Sequence, residues 1–122
     1  MKIYESGENY LEAILILKKE KGFARAIDVA QKLDFSRPSV SRAISILKKL
    51  GYVLVDESGM IVLTKLGRNL AEKIYDRHCF LIKCFKFLGV SEDVAKFDAC
   101  RVEHVMSEET FNQLKKFFEK LI

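Results

Sequence analysis

Two short apolar, β-branched runs, Tyr52-Val-Leu-Val55 and Met60-Ile-Val-Leu63, flank the turn-forming segment Asp56-Glu-Ser-Gly59. That pattern reads as a β-hairpin, and it constrains the fold more than any other feature. The chain before it reads as helix. Residues 6–21 place Tyr10, Leu11, Ile14, Leu15 and Leu17 at helical spacing, and Gly22 ends the pattern. Residues 26–33 carry a stripe of Ile27, Val29, Ala30 and Leu33, followed by the turn Asp34-Phe-Ser36. A third helix opens with Ser36-Arg-Pro-Ser39. Proline is tolerated there because an amide in the first helical turn has no partner to lose. Val40, Ala43, Ile44, Leu47 and Leu50 form its apolar face, and Gly51 is placed to cap its end. Two helices joined by a tight turn and followed by a hairpin have the layout of a winged helix-turn-helix.

Such a module lays the second helix of the pair in the major groove of duplex DNA. The start of that helix offers Ser36, Arg37, Pro38, Ser39, Ser41 and Arg42, with hydroxyl and guanidinium groups suited to phosphates and base edges. Arg25, Lys48 and Lys49 are placed for phosphate or solvent, contacts that set affinity and salt dependence but not sequence choice. From Phe35 to Val55 there are four basic residues and no acid, within a chain of net charge +4. The bland alternative is a helical bundle whose basic face only solubilises it. The acid-free helix, its proline start and the hairpin together argue against that.

Beyond the hairpin the chain returns to helical periodicity. Thr64 can cap a fourth helix, roughly 65–87, which carries His78. Gly89 and Ser91 interrupt it, and a short helix near 92–103 follows. Ser107-Glu-Glu109 reads as an N-cap with acids in the first turn. The last helix, 108–121, lines up Phe111, Leu114, Phe117, Phe118 and Leu121. Cys100, Glu103 and His104 bring a thiol, a carboxylate and an imidazole to one turn, where residues three and four apart share a face. All three are metal ligands by chemistry. His78, the other histidine of the chain, fits the same site. Each taken alone has a plainer reading: a core histidine, a solvated carboxylate, a cysteine packed as a small hydrophobe.

At 122 residues the chain makes one compact unit or two small subdomains, with a seam expected near Leu63–Lys65 that divides 1–64 from 65–122. The three cysteines, Cys79, Cys84 and Cys100, lack CxxC spacing, and no signal-peptide pattern is present. A reducing, cytoplasmic setting is the expectation. No apolar run reaches the ~18 residues of a membrane span.

The chain also resembles the diphtheria toxin repressor family of iron- or manganese-dependent repressors. The resemblance rests on Glu8-Asn-Tyr-Leu-Glu12, Asp34-Phe-Ser-Arg-Pro-Ser-Val-Ser41, Leu63-Thr-Lys-Leu-Gly67, Arg77-His78 and Ala99-Cys-Arg-Val-Glu-His-Val-Met-Ser107. It implies a mainly α protein: a winged helix-turn-helix followed by a helical metal-binding and dimerisation domain, in the short form without an SH3-like third domain. It implies the ligands Cys100, Glu103 and His104, joined by Glu12 and His78. Position 9 is also a ligand in the family, methionine in the iron class and aspartate in the manganese class; Asn9 is neither. Cys100 follows the iron class, whereas Glu12 with His78 looks like the manganese class. Two ancillary iron-class positions are Ile82 and Lys96. The thiolate favours Fe(II) over Mn(II).

The implied function is a metal-dependent transcriptional repressor, not an enzyme. It would act as a homodimer on palindromic operator DNA, with Phe80, Phe85, Phe87 and Leu88 as candidate interface residues. A redox regulator sensing through Cys100 is the alternative. A small metallo-hydrolase is a third reading, for which so short a chain leaves little room beside a winged helix.

Overall fold

A computed structural model describes residues 5–121. By packing, the chain forms two units, one up to Glu72 and one from Lys73. Six helices and a two-stranded sheet follow in the order α1 (Glu5–Lys21), α2 (Ala26–Leu33), α3 (Arg37–Lys49), β1 (Val53–Val55), β2 (Ile61–Leu63), α4 (Lys65–Phe87), α5 (Glu92–Val102) and α6 (Glu108–Glu119). The fold is the mainly helical one expected, a winged helix-turn-helix followed by a helical unit. No helix among the described residues is long and apolar enough to cross a membrane.

In the first unit α1 is the central post. Tyr10 through Leu15, and Leu17, are all buried, and the helix packs on α2, α3 and β2. The N–H of Arg25 donates to Asp28 Oδ2 at 3.0 Å, which tightens the start of α2. The buried arc of α2 runs through Val29 and Ala30, flanked by half-buried Ala26 and Leu33. Ile27, expected in that stripe, is 42% exposed: one residue on from Ala26, it turns roughly 100° out of the arc. Asp34 then adopts a left-handed conformation (φ 57°), and the N–H groups of Asp34 and Phe35 both return to the Ala30 carbonyl. This turn aims α3. Ser36 caps α3, Pro38 occupies its first turn, and Val40, Ile44 and Leu47 face inward.

The apolar runs read at 52–55 and 60–63 pair over their inner three residues, Val53 opposite Leu63, Leu54 opposite Val62 and Val55 opposite Ile61. Val53, Ile61 and Leu63 are buried, while Leu54 and Val62 face outward, the alternation a one-sided sheet requires. The turn is held by one carboxylate. Asp56 Oδ1 accepts from the Ser58 N–H, the Ser58 hydroxyl and the Met60 N–H, all within 2.9 Å. Those donors hold its carboxyl below the usual range. The segment before α2 braces the hairpin from the other side: the Ile61 N–H donates to Ala24 O, and Arg25 Nη1 donates to Ser58 O at 2.8 Å.

Thr64 joins the hairpin to α4. Its N–H donates to Tyr52 O, its hydroxyl lies 2.6 Å from Gly51 O, and its oxygen accepts the Gly67 N–H, the cap the sequence foretells. Gly67 sits so close to the Tyr52 carbonyl that a Cβ there would lie 2.0 Å from the oxygen. Only glycine permits that approach.

The second unit is built from the rest of α4 with α5 and α6. Ile74, Arg77, Leu81 and Cys84 are buried along α4, Ala95 and Ala99 along α5, Phe111 and Phe118 along α6. Phe80 meets Phe111 edge-on, and Phe87 meets Phe118. Ser107 caps α6 through the Thr110 N–H, with Glu108 and Glu109 in the first turn as expected. Glu108 pairs with Lys73, which lowers its carboxyl pKa. Two expectations need correction. Phe117 and Leu121 are 63% and 52% exposed, because the inward line of α6 runs through Phe111 and Phe118, seven residues apart, and three helices do not cover a broader stripe. The helix expected to reach 103 ends at Val102.

Gly67→Ala should destabilise the first unit by at least the ~1–3 kcal/mol of an overpacked site, read as a drop in melting temperature. The carboxylate of Asp56 has a second readout. Its depressed pKa means its stabilising effect is complete above the ordinary value of about 4 and is lost as pH falls through the lower, folded value. Amide exchange at Ser58 and Met60 should therefore accelerate selectively on acidification, and Asp56→Ala should produce the same loosening at neutral pH.

Candidate functional site

The second unit concentrates its charge at the end of α5. Glu103 still has helical backbone angles, and its N–H reaches Ala99 O. The following residues leave the helix in a turn, with the Val105 and Met106 N–H groups both returning to Val102 O. This geometry drives Glu103 inward. It is 1% exposed, with its Oε2 2.8 Å from His78 Nδ1 on α4 and its Oε1 3.3 Å from Nε2 of its neighbour His104. Both imidazoles are largely buried. Cys100 does not share this environment: one helical turn earlier, it is exposed on α5. Cys100, Glu103 and His104 thus differ in exposure, and His104 lies beyond the end of α5.

A buried carboxylate is costly unless it is paired and its oxygens are satisfied. Glu103 Oε1 accepts no hydrogen bond. One carboxylate between two largely buried imidazoles is a donor set for a divalent first-row metal, and a cation there would satisfy the orphaned oxygen. The residues present fit such an ion.

In the first unit Glu12 is buried on α1, and Asn9 is half-buried one turn before it. Burial of Glu12 departs from the solvated helix face that is the plain reading of a lone glutamate.

The face expected to read DNA is the exposed side of α3. Arg37, Pro38, Ser41, Arg42, Lys48 and Lys49 are all exposed, as is Ser36. Ser39 is half-buried, and its hydroxyl and N–H are both engaged with Ser36 Oγ. These two serines shape the helix start as much as they present polar groups. Tyr10 packs its ring against Phe35 at 5.8 Å, and burial raises its phenol pKa, with the nearby Arg42 charge opposing. Arg25 lies at the hairpin, not on α3. One of its guanidinium nitrogens is committed to the Ser58 carbonyl, which leaves the others for an outside partner.

Sequence reasoning quotes Arg77 beside His78 but gives it no role. It lies in the buried stripe Ile74, Arg77, Leu81, Cys84 at helical spacing, is 9% exposed, and its Nη1 donates to the carbonyls of Glu103 and Met106. The signal was available: a charged residue on an otherwise apolar helix face must be paired inside.

Comparison with known proteins agrees with this geometry. Residues 2–60 match the family model of the N-terminal DNA-binding domain of iron-dependent repressors. Residues 64–121 match that of the metal-binding and dimerisation domain of iron-dependent repressors. The chain is 34% identical to the transcriptional regulator MntR of Escherichia coli O6:H1 over 113 residues, 93% of this chain and 73% of the relative. It is 37% identical to an uncharacterised HTH-type transcriptional regulator of Methanocaldococcus jannaschii, covering 95% of this chain and 94% of that one. Among solved structures it is similar to T. acidophilum IdeR and to the manganese regulator SloR, each at a TM-score of 0.80 and 28% identity. Each of those matches covers 98% of this chain, which spans about half the length of either structure (55%).

Ser36→Ala should cost about 1 kcal/mol through removal of the cap and fray the first turn of α3. Thermal melting together with amide exchange at Ser39 would show it, and an unchanged Ser39 rate would mean the cap holds nothing in place.

Proposed function

Because the chain belongs to the diphtheria toxin repressor family, whose members are metal-dependent transcriptional regulators and not enzymes, we propose that it is a repressor that binds palindromic operator DNA as a homodimer when a divalent metal is bound. The observation that carries this reading is the buried Glu103 carboxylate set between His78 and His104. In this reading residues 1–64 form the DNA-binding domain and residues 65–122 the metal-binding and dimerisation domain. The proposed setting is the cytoplasm.

The proposed ligands are Asn9, Glu12, His78, Cys100, Glu103 and His104. These residues would hold a divalent ion, whose positive charge would neutralise the carboxylates. Glu12 and Glu103 are buried carboxyl groups, and a carboxylate charge out of water is costly unless paired. His78 and His104 would supply imidazole nitrogens, and Cys100 would supply sulfur. The ion is Fe(II) or Mn(II). The preference for Fe(II) rests on Cys100 alone, whereas one of the similar structures is a manganese regulator by name. On the DNA side, Arg37 and Arg42 are proposed to reach base edges and phosphates, with Ser36, Pro38, Ser39 and Ser41 shaping the contact surface. Arg25, Lys48 and Lys49 neutralise phosphates. Two such helices in a dimer would read half-sites about 34 Å apart or a multiple of it. Exposed Phe87 and Leu88, with half-buried Phe80 and Phe85, are the proposed dimer surface.

The exposed thiol of Cys100 supports one other reading, a redox regulator in which oxidation of that cysteine releases DNA. Cys100→Ser separates the two, since it should abolish a peroxide response but leave part of a metal response.

Calorimetric titration of the reduced, anaerobic protein with Fe(II) and Mn(II) should give micromolar binding that Glu103→Ala removes. Operator affinity should rise on the order of a hundredfold with the preferred ion. Equal DNA binding before and after chelation would sink the proposal. Arg42→Ala should weaken binding to duplex DNA and lower the slope of log affinity against log salt by about 0.9 for each phosphate it no longer neutralises. Titration of DNA affinity from low to high salt checks this.

A further inference from the structure

The buried guanidinium of Arg77 has no part in the function described so far. It lies on the inward face of α4, directly before His78. Its Nη1 donates to two main-chain carbonyls at the end of α5, Glu103 O at 3.2 Å and Met106 O at 2.7 Å. Its charged end also lies over the Phe111 ring of α6, 4.9 Å from the centroid. One side chain of α4 thus reaches both the turn after α5 and the ring of Phe111 on α6.

We propose that Arg77 is a positioning residue for the metal site: by bridging the Glu103 and Met106 carbonyls it fixes the turn from which Glu103 and His104 reach the ion. This rests on the metal reading of that site. The physical need is clear. The last carbonyls of a helix have no intrahelical partners, and buried ones must find others. Here the bridged carbonyls bracket the segment that carries two proposed ligands. The turn has few other restraints, chiefly the Val105 and Met106 N–H groups on Val102 O. A fixed positive charge also suits the negative end of α5. Arg77 and His78 are consecutive, so one turn of α4 delivers both an imidazole to Glu103 Oε2 and the clamp that sets where Glu103 stands. A lysine has a single donor group on a flexible stem and cannot reproduce a planar fork held over a ring.

The test compares the full-length wild type with Arg77→Met, which keeps an apolar stem against Phe111, and Arg77→Lys, which keeps the charge. Amide exchange of metal-free protein is measured alongside anaerobic Co(II) titration followed by the visible ligand-field spectrum. Arg77→Met should raise exchange selectively at Glu103, Val105 and Met106. It should weaken Co(II) binding by roughly 10- to 100-fold, as removal of a residue that supports metal ligands does, and alter the absorption bands. Arg77→Lys should restore part of each, and it carries the test by itself if Arg77→Met does not fold. Co(II) affinity and bands unchanged from wild type would overturn the proposal whatever the exchange shows. So would exchange that rises uniformly over α4, α5 and α6, which marks a general packing role. A wild type that binds no Co(II) would instead refute the metal reading, and localised exchange would still show whether the clamp exists.

Discussion

A carboxylate out of water sets the terms for the second unit. Glu103 is almost completely buried, and a lone charge in that position would oppose folding by several kcal/mol. The surrounding chemistry answers that cost piece by piece. Imidazoles stand beside each oxygen, a guanidinium holds the adjoining main chain, and the helix that carries Glu103 stops one residue earlier so that the side chain can turn inward. An apolar residue of similar size would pack with less opposition. An acid in that position supports the cation site proposed for it.

Much of the fold is legible in the sequence because it follows from periodicity and punctuation. Gly22, Ser36 with Pro38, Gly51 and Asp56 to Gly59 are local signals whose physics operates within a few residues. They locate the helices and the hairpin almost to the residue. Burial is less legible where it depends on what lies opposite. Ile27 and Phe117 carry the right residue type at nearly the right spacing, yet each faces outward, because the width of a buried stripe is set by its partners and not by the helix itself. The same holds for the candidate site. The types and spacing of Cys100, Glu103 and His104 mark a cluster, but which of them is buried depends on partners elsewhere in the chain. The turn after α5, for example, finds its donor in the guanidinium of Arg77, twenty-nine positions before Met106. Long-range partners of this kind leave no trace in a local window.

The junction at Thr64 shows how closely two elements can be tied by small residues. A hydroxyl, a main-chain N–H and the missing side chain of Gly67 let the first turn of α4 lie against the end of the segment that leads into β1. Helix and hairpin in the first unit therefore share a backbone contact, which permits no sliding in the way that side-chain packing does. The exposed residues of α3 are presented from a frame with little play.

The tip of the hairpin carries a further consequence. Asp56 gathers three donors onto one oxygen, and Arg25 fastens the Ser58 carbonyl from outside, so the loop is already folded before it meets anything. Surface loops usually surrender freedom on association, and that loss is subtracted from whatever contacts they make. A tip frozen in advance surrenders almost none. Even a few weak contacts made there would register in full, as a slower departure from the surface it rests on.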